Sequence, residues 1–103
     1  MSQQFRVATL GDVPPGTCLH VDAGGLAVVV LNVDGTIYAI GGTCTHVGGP
    51  LGEGELEGTV ITCPWHGAQF DVTTGQVVGP PAEMSVPTYE VVIEGENIDV
   101  YVA

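Results

Sequence analysis

Two short groups of cysteine and histidine are the part of this sequence best suited to chemistry. The first reads Cys44-Thr45-His46 and the second reads Cys63-Pro64-Trp65-His66-Gly67. Sixteen residues separate His46 from Cys63. Each group offers one thiolate and one imidazole, and four such ligands suit a soft or borderline metal. Two tight loops that face each other would bring the four side chains together.

Other interpretations of these four residues stay open at this point. A structural zinc site can use two Cys and two His, but it usually keeps like ligands together, whereas each group here mixes them. A Cys–His nucleophile pair would need an orienting side chain and a substrate cleft, and nothing else in the chain resembles one. The four residues could also be buried without any metal. Two mixed pairs within a glycine-rich region favour a metal centre.

The pattern C-x-H, sixteen residues, then C-x-x-H closely resembles the motif of the Rieske family. The resemblance implies one 2Fe–2S cluster, with Cys44 and Cys63 on one iron and His46 and His66 on the other. Family members place both histidines at the protein tip with the outer ring nitrogens near solvent, which implies a short route for the electron. Pro80-Pro81 matches the position of a proline loop that covers the cluster in this family.

The resemblance also implies roles for neighbours of the ligands. Gly48, Gly49 and Gly67 would let the backbone approach the cluster, so that amide N–H groups can reach sulfur. An apolar cap around the cluster would come from Trp65, Val47, Pro50, Leu51, Pro80 and Pro81. The same residues could instead serve only to exclude water from the iron.

Several positions predict a reduction potential in the lower part of the family range, which spans roughly −150 to +300 mV. High-potential members carry an extra Cys in each loop, where this chain has Gly49 and Trp65. Those members also donate Ser and Tyr hydroxyl hydrogen bonds to sulfur, where this chain has Ala68 and Phe70. Fewer donors stabilise the reduced cluster less. Three carboxylates after the first loop should lower the potential further: Glu53, Glu55 and Glu57.

Among Rieske proteins, the chain most resembles the soluble ferredoxin of a bacterial multicomponent aromatic-ring dioxygenase. In that family a flavin-dependent reductase loads the ferredoxin, which delivers single electrons to a terminal oxygenase. The resemblance thus implies an electron carrier and not an enzyme. One alternative is the Rieske-like small subunit of an assimilatory nitrite reductase. An alternative of another class is a zinc-stabilised structural or interaction module.

A terminal oxygenase is excluded as the role of this chain alone. The mononuclear iron site of such an enzyme needs two His and a carboxylate. Outside the two ligand groups, His20 is the only histidine. Cys18 and His20 lie two apart on one face of a predicted strand, and we interpret them as ordinary strand residues.

The elements that must position the two loops are predicted to be strands. Valine is frequent, and sixteen Gly and seven Pro indicate many turns. No segment shows a helical period over 11 residues or more. Asp34-Gly35 predicts a tight hairpin, and Gly95-Glu96 predicts a second one. Strands are predicted at 5–10, 17–22, 26–33, 36–40, 59–62, 68–72, 76–78, 88–94 and 97–102.

We therefore predict an all-β fold, a Rieske-type antiparallel β-sandwich with about eight to ten short strands. Residues 1–103 should form a single domain. Its small cluster-binding subdomain should consist of two loops, at about 42–52 and 62–68, with a proline loop at 79–82. Gly41 to Gly58 holds seven glycines and no apolar period, so it is interpreted as one long functional loop.

Charge and composition exclude several functions. The formal net charge is −11, and Arg6 is the only Lys or Arg. Binding to nucleic acid or to an anionic membrane needs cations, so both are excluded. The acidic field should steer a basic partner and keep copies of this chain apart as monomers. No signal region begins the sequence and three Cys make a disulfide scaffold improbable, so we expect a cytoplasmic protein.

Overall fold

The computed structural model describes residues 3–42, 51–64, 67–79 and 85–102. Within these ranges the chain forms ten β-strands and two 3-10 helices, Leu10–Asp12 and Leu51–Glu53. None of the described residues builds a helix long and apolar enough to cross a membrane. The strands are β1 (Gln3–Thr9), β2 (Cys18–Ala23), β3 (Leu26–Val33), β4 (Thr36–Gly41), β5 (Glu55–Glu57), β6 (Val60–Thr62), β7 (Gln69–Asp71), β8 (Val77–Gly79), β9 (Thr88–Glu94) and β10 (Asn97–Val102). The predicted all-β class is confirmed.

The larger sheet has six strands in the order β1-β10-β9-β4-β3-β2, and every neighbouring pair is antiparallel. Its strand β3 is buried on both faces, because Val28, Val29, Val30 and Leu31 are all fully buried. A strand covered on both sides needs apolar residues at successive positions instead of alternating ones. This explains the continuous apolar run that begins at Leu26.

The smaller sheet has four antiparallel strands in the order β5-β6-β7-β8, each only three residues long. Strand β5 lies inside the segment that the sequence predicted to be one long loop. The prediction missed it because Leu56 is its single apolar residue, and the flanking Glu55 and Glu57 are exposed at the edge of the sheet. The region of the predicted ligands thus includes a small sheet, in addition to the predicted loops.

Alternate side chains of the shared strands enter two separate cores. The large-sheet core consists of Val13, Val21, Ala23, Val28, Val30, Ala39, Ile98, Val100 and Val102. The small-sheet core consists of Val29, Leu31, Ile40, Ile61, Cys63, Ala68, Phe70, Val72 and Val86. Because side chains alternate across a strand, β3 and β4 serve both cores at once.

The two predicted hairpins are confirmed. Asp34 and Gly35 join β3 to β4, and both adopt positive φ, at 51° and 93°. Tight two-residue turns of this kind need positive φ at both central positions, which Asp-Gly supplies readily. Gly95 and Glu96 join β9 to β10, with Glu94 paired to Asn97.

A polar cluster holds β1 against β10 and β9. Arg6 Nε donates to Asp99 Oδ1 at 3.0 Å, and Arg6 Nη2 lies 3.4 Å from Glu94 Oε2. Gln4 also donates to Asp99 Oδ2, at 2.6 Å. Asp99 is 3% exposed, so it is a buried carboxylate, and its oxygens accept hydrogen bonds from Arg6 and Gln4. The hydrogen bond from Arg6 holds the pKa of Asp99 below its usual range.

Candidate metal centre

The structure describes Cys63 among the four predicted ligands. Cys63 follows β6, is 1% exposed and belongs to the small-sheet core. Its N–H donates to the carbonyl of Ala68 at 2.7 Å, which closes the turn between β6 and β7. Gly67 has a φ of +76° in this turn, so a residue that tolerates left-handed backbone is needed there. His66 and Trp65 lie outside the described residues.

The first ligand segment lies outside the described residues, but the residues on either side of it are described. Cys44 and His46 therefore stay predicted ligands. Before them, Gly41 donates its N–H to the carbonyl of Pro87 at 2.8 Å, and Gly42 donates to Ala27 at 3.0 Å. The chain leading into this segment is thus held against both β3 and the segment before β9.

After the first ligand segment, the chain is held by β2. The Cys18 thiol lies 3.5 Å from the carbonyl oxygen of Gly52 and 3.9 Å from that of Gly54. Gly52 also packs closely on His20, since a Cβ at Gly52 would lie 2.8 Å from the His20 Cβ. Cys18 and His20 therefore share one face of β2, as predicted, and that face supports the 3-10 helix Leu51–Glu53.

The register of the small sheet brings the anchors of all three loops to one end. Glu55 pairs with Thr62, Thr62 pairs with Gln69, and Gln69 pairs with Gly79. At this end β5 follows the 3-10 helix Leu51–Glu53, the turn that begins with Cys63 leaves β6, and β8 ends at Gly79. The described chain on the way to both predicted ligand segments and to residues 80–82 thus lies at neighbouring strand ends.

The buried surroundings of Cys63 are apolar. Ala68 and Phe70 are fully buried in the small-sheet core and carry no hydroxyl group. No described group of three or more His, Cys, Asp or Glu residues is arranged to hold a metal ion. The described part of the centre therefore contributes one buried thiol and an apolar wall. This fits a thiolate-ligated cluster whose sulfurs receive no side-chain hydroxyl at these two positions.

Carboxylates line a cleft beside the 3-10 helix Leu51–Glu53 and β5. Glu53, Glu55 and Glu57 are exposed and line a cleft of about 480 Å³ beside Thr17 and Cys18. Arg6, the one cation of the sequence, is engaged by Asp99 and Glu94. Burial raises the pKa of the Cys18 thiol, so Cys18 is a neutral hydrogen-bond donor near pH 7.

Three features of this region were missed by sequence reasoning. They are strand β5, the contact of Cys18 with Gly52, and the contact of Gly75 with Val86. The sequence Thr73-Thr74-Gly75 is typical of a turn, but no local signal indicates which segment packs on Gly75. The roles predicted for Gly48, Gly49, Val47 and Pro50, and for Pro80 and Pro81, fall outside the described residues. The side chain of Leu51 does too.

Comparison with known proteins shows the family. Residues 3–90 match the model of the Rieske 2Fe–2S domain. The chain is 38% identical over 89 residues to the ferredoxin component of a naphthalene 1,2-dioxygenase system from Pseudomonas aeruginosa, covering 86% of each chain.

Solved structures agree over nearly the full length. The ferredoxin of carbazole 1,9a-dioxygenase from Nocardioides aromaticivorans IC177 superposes with a TM-score of 0.91 at 35% identity, covering 95% of this chain and 96% of that one. A chain in a complex of reduced oxygenase and oxidized ferredoxin in carbazole 1,9a-dioxygenase superposes with a TM-score of 0.89 at 35% identity, covering 94% and 91%. A nitrite reductase small subunit from Mycobacterium tuberculosis, at 20% identity and a TM-score of 0.88, shares the fold alone.

Proposed function

The chain belongs to the Rieske 2Fe–2S domain family, and from that membership we propose that it is the ferredoxin component of a multicomponent aromatic-ring dioxygenase. It carries single electrons on one 2Fe–2S cluster and is not itself the catalyst. The observation that carries this conclusion is the match, over 86% and 95% of the chain, to proteins named as dioxygenase ferredoxins, at 38% and 35% identity. The nitrite reductase and zinc-module alternatives are not favoured by these relatives.

The ligand set that we propose is Cys44 and Cys63 on one iron, with His46 and His66 on the other. Support comes from the motif spacing, from the buried thiol of Cys63, and from the sheet register that anchors both ligand segments at one end. When bound, the cluster supplies one-electron redox chemistry. Because Ala68 and Phe70 offer no hydroxyl donor, we propose a potential in the lower part of the family range, which spans roughly −150 to +300 mV.

A histidine replacement tests this ligand set. His66→Cys should keep iron but change the rhombic EPR signal of the reduced protein, because a thiolate would replace an imidazole on one iron. His20→Gln is the matched control, because His20 is an exposed strand residue outside the ligand groups. An unchanged spectrum in His66→Cys would remove His66 from the set. Absence of iron and acid-labile sulfide in oxygen-protected wild-type protein would refute the cluster itself.

We propose a flavin-dependent reductase as the electron donor and a terminal oxygenase as the acceptor. The two histidines would form the docking tip, and carboxylates would steer the approach of both partners. Glu55 is placed for this role, because it is exposed at the sheet end that anchors the ligand segments. We also propose a monomer, since copies of this acidic chain repel each other, and a cytoplasmic location, where the three Cys would stay reduced.

Steering is tested with the reductase of a related dioxygenase system. The reduction rate of wild-type protein should fall as salt rises, because ions screen the attraction. Glu55→Gln should lower the rate at low salt more than Asp34→Asn, its charge-matched control. Asp34 is exposed in the β3–β4 turn, at the opposite end of β4 from Gly41. A flat salt profile, or equal effects of the two variants, would contradict steering toward the ligand end.

A further inference from the structure

We propose that Gly75 is a positioning residue for the redox centre, because it seats Val86 against the core that holds Cys63. This inference rests on the proposed function, since its readouts are properties of the bound cluster. Gly75, a turn glycine outside the ligand motif, would thereby influence the reduction potential of the cluster. The strap is defined here as residues 85–87, the described segment that precedes β9.

Gly75 and Val86 meet backbone to backbone. Gly75 donates its N–H to the carbonyl of Asp71 at 2.7 Å, and its own carbonyl accepts the N–H of Val86 at 2.8 Å. Its φ is +76°, and a Cβ there would collide with the carbonyl oxygen of Val86. The obstacle is backbone, so a side chain at this position must displace the strap.

The strap is held from a second side by Gly41. The Gly41 N–H donates to the Pro87 carbonyl at 2.8 Å, and a Cβ on Gly41 would lie 2.9 Å from the Pro87 Cδ. Gly41 ends β4 three residues before the predicted ligand Cys44. The strap therefore lies between the β7–β8 turn and the chain that enters the first ligand segment, with a glycine contact on each side.

A displacement of the strap would reach the environment of Cys63. The Val86 side chain is 3% exposed and belongs to the small-sheet core together with Cys63, Ala68 and Phe70. Packed cores transmit a shift of one member to its neighbours, because few voids are available to absorb it. If the strap moves outward, water gains access to the apolar wall around the Cys63 sulfur. Greater solvent exposure stabilises the more negative, reduced cluster, so the potential should rise.

The test compares Gly75→Ala with Gly95→Ala in the holoprotein. Gly95 also has positive φ, at 62°, but a Cβ there would meet nothing within 4 Å. Both variants carry the cost of a left-handed alanine, whereas only Gly75→Ala crowds the strap. We expect Gly75→Ala to raise the midpoint potential, shift the EPR g-values and release iron to a chelator several-fold faster than wild type. Gly95→Ala should lower thermal stability while leaving the potential and the EPR spectrum unchanged.

The inference is overturned if Gly75→Ala retains its cluster with wild-type potential and g-values, or if Gly95→Ala shifts them equally. If Gly75→Ala does not hold a cluster, the proposal is tested with Val86→Ala instead. This variant keeps the strap backbone and removes only the side chain that packs in the small-sheet core. Val86→Ala should raise the potential too, and a wild-type value would reject the proposal. A wild-type protein without a Rieske EPR signal would instead refute the proposed function, so the two failures are distinguishable.

Discussion

The two cores use similar apolar side chains, but the two sheets are built from strands of very different length. The large sheet is built from strands of six to eight residues, whereas each strand of the small sheet has three. Short strands provide few ladder hydrogen bonds, and the small sheet also adjoins the segments that contain the predicted ligands. Binding to the folded state stabilises whatever the ligands hold together. The comparison predicts that the large sheet folds as the scaffold and that the small sheet needs the bound cluster for its stability.

The prediction with the largest expected effect removes Cys63, the predicted ligand that the structure describes as buried. Cys63→Ala should abolish cluster binding and lower amide protection in β5 to β8, while β1, β3 and β10 keep theirs. Iron and sulfide analysis with hydrogen exchange measured by mass spectrometry checks both parts. Cys18→Ala is the control and should retain the cluster. Equal loss of protection in both sheets would show that the small sheet has no special dependence on the cofactor.

Two fully buried isoleucines sharpen the contrast between the cores. Ile61 belongs to the small-sheet core and Ile98 to the large-sheet core. Each Ile→Ala change should lower the free energy of unfolding by about 2–5 kcal/mol, because it leaves a cavity. Only Ile61→Ala should also speed loss of the visible absorbance of the cluster. Denaturant unfolding measures the loss of stability, and a chelation time course measures the loss of the cluster. Equal cluster loss in both variants would contradict the proposal that only the small-sheet core supports the cluster.

A smaller effect, confined to the large sheet, follows from the buried carboxylate Asp99. Its pKa is lowered by the hydrogen bond from Arg6, so its ionised form is favoured in the folded state. The stabilisation is therefore fully present above the ordinary aspartate pKa of about 4 and is lost as pH falls toward the lowered value. Asp99→Asn should lower the thermal midpoint most near neutral pH.

The pH profile of that variant is the decisive measurement. The difference between wild type and Asp99→Asn should shrink as the solution becomes more acidic than about pH 4. Contributions shared by the two proteins, including any acid effect on the cluster, cancel in the difference. The EPR spectrum at neutral pH should not change. A difference that stays constant with pH, or that grows toward acid, would contradict the assignment.

The smallest expected effect concerns Cys18, which lies on β2 of the large sheet and contacts Gly52, shortly before the first strand of the small sheet. Burial raises the pKa of its thiol, so the thiolate that reacts with alkylating agents is scarce near neutral pH. Iodoacetamide should modify Cys18 several-fold more slowly than it modifies glutathione, and the rate should rise as pH increases above the usual thiol range. Peptide mapping of the holoprotein measures this. Modification as fast as that of glutathione would mean that the β2 contact with Gly52 opens readily.

Much of the fold was predictable from local patterns. The alternation of Thr88 to Glu94, the apolar run of β3 and the turn at Asp34-Gly35 each carry their own signal, and all three are confirmed. Strand β5 was missed because one apolar residue between two glutamates is too short an alternation to indicate a strand. For the site, the motif spacing identified the family. The assignment of Cys44, His46 and His66 as ligands stays a prediction, as does the single-domain boundary.

The sequence by itself determined the strand class, the hairpin turns, the acidic charge and the chemistry of the ligand groups, because these depend on residue types and on spacings of a few residues. Only the tertiary structure decided which distant segments support those groups. Cys18 meets Gly52 across 34 residues, and the Val86 N–H donates to the Gly75 carbonyl, backbone groups that every residue type except proline shares. Backbone hydrogen bonds leave almost no mark on residue identity, so such contacts emerge only once the sheets have set the register of the whole chain.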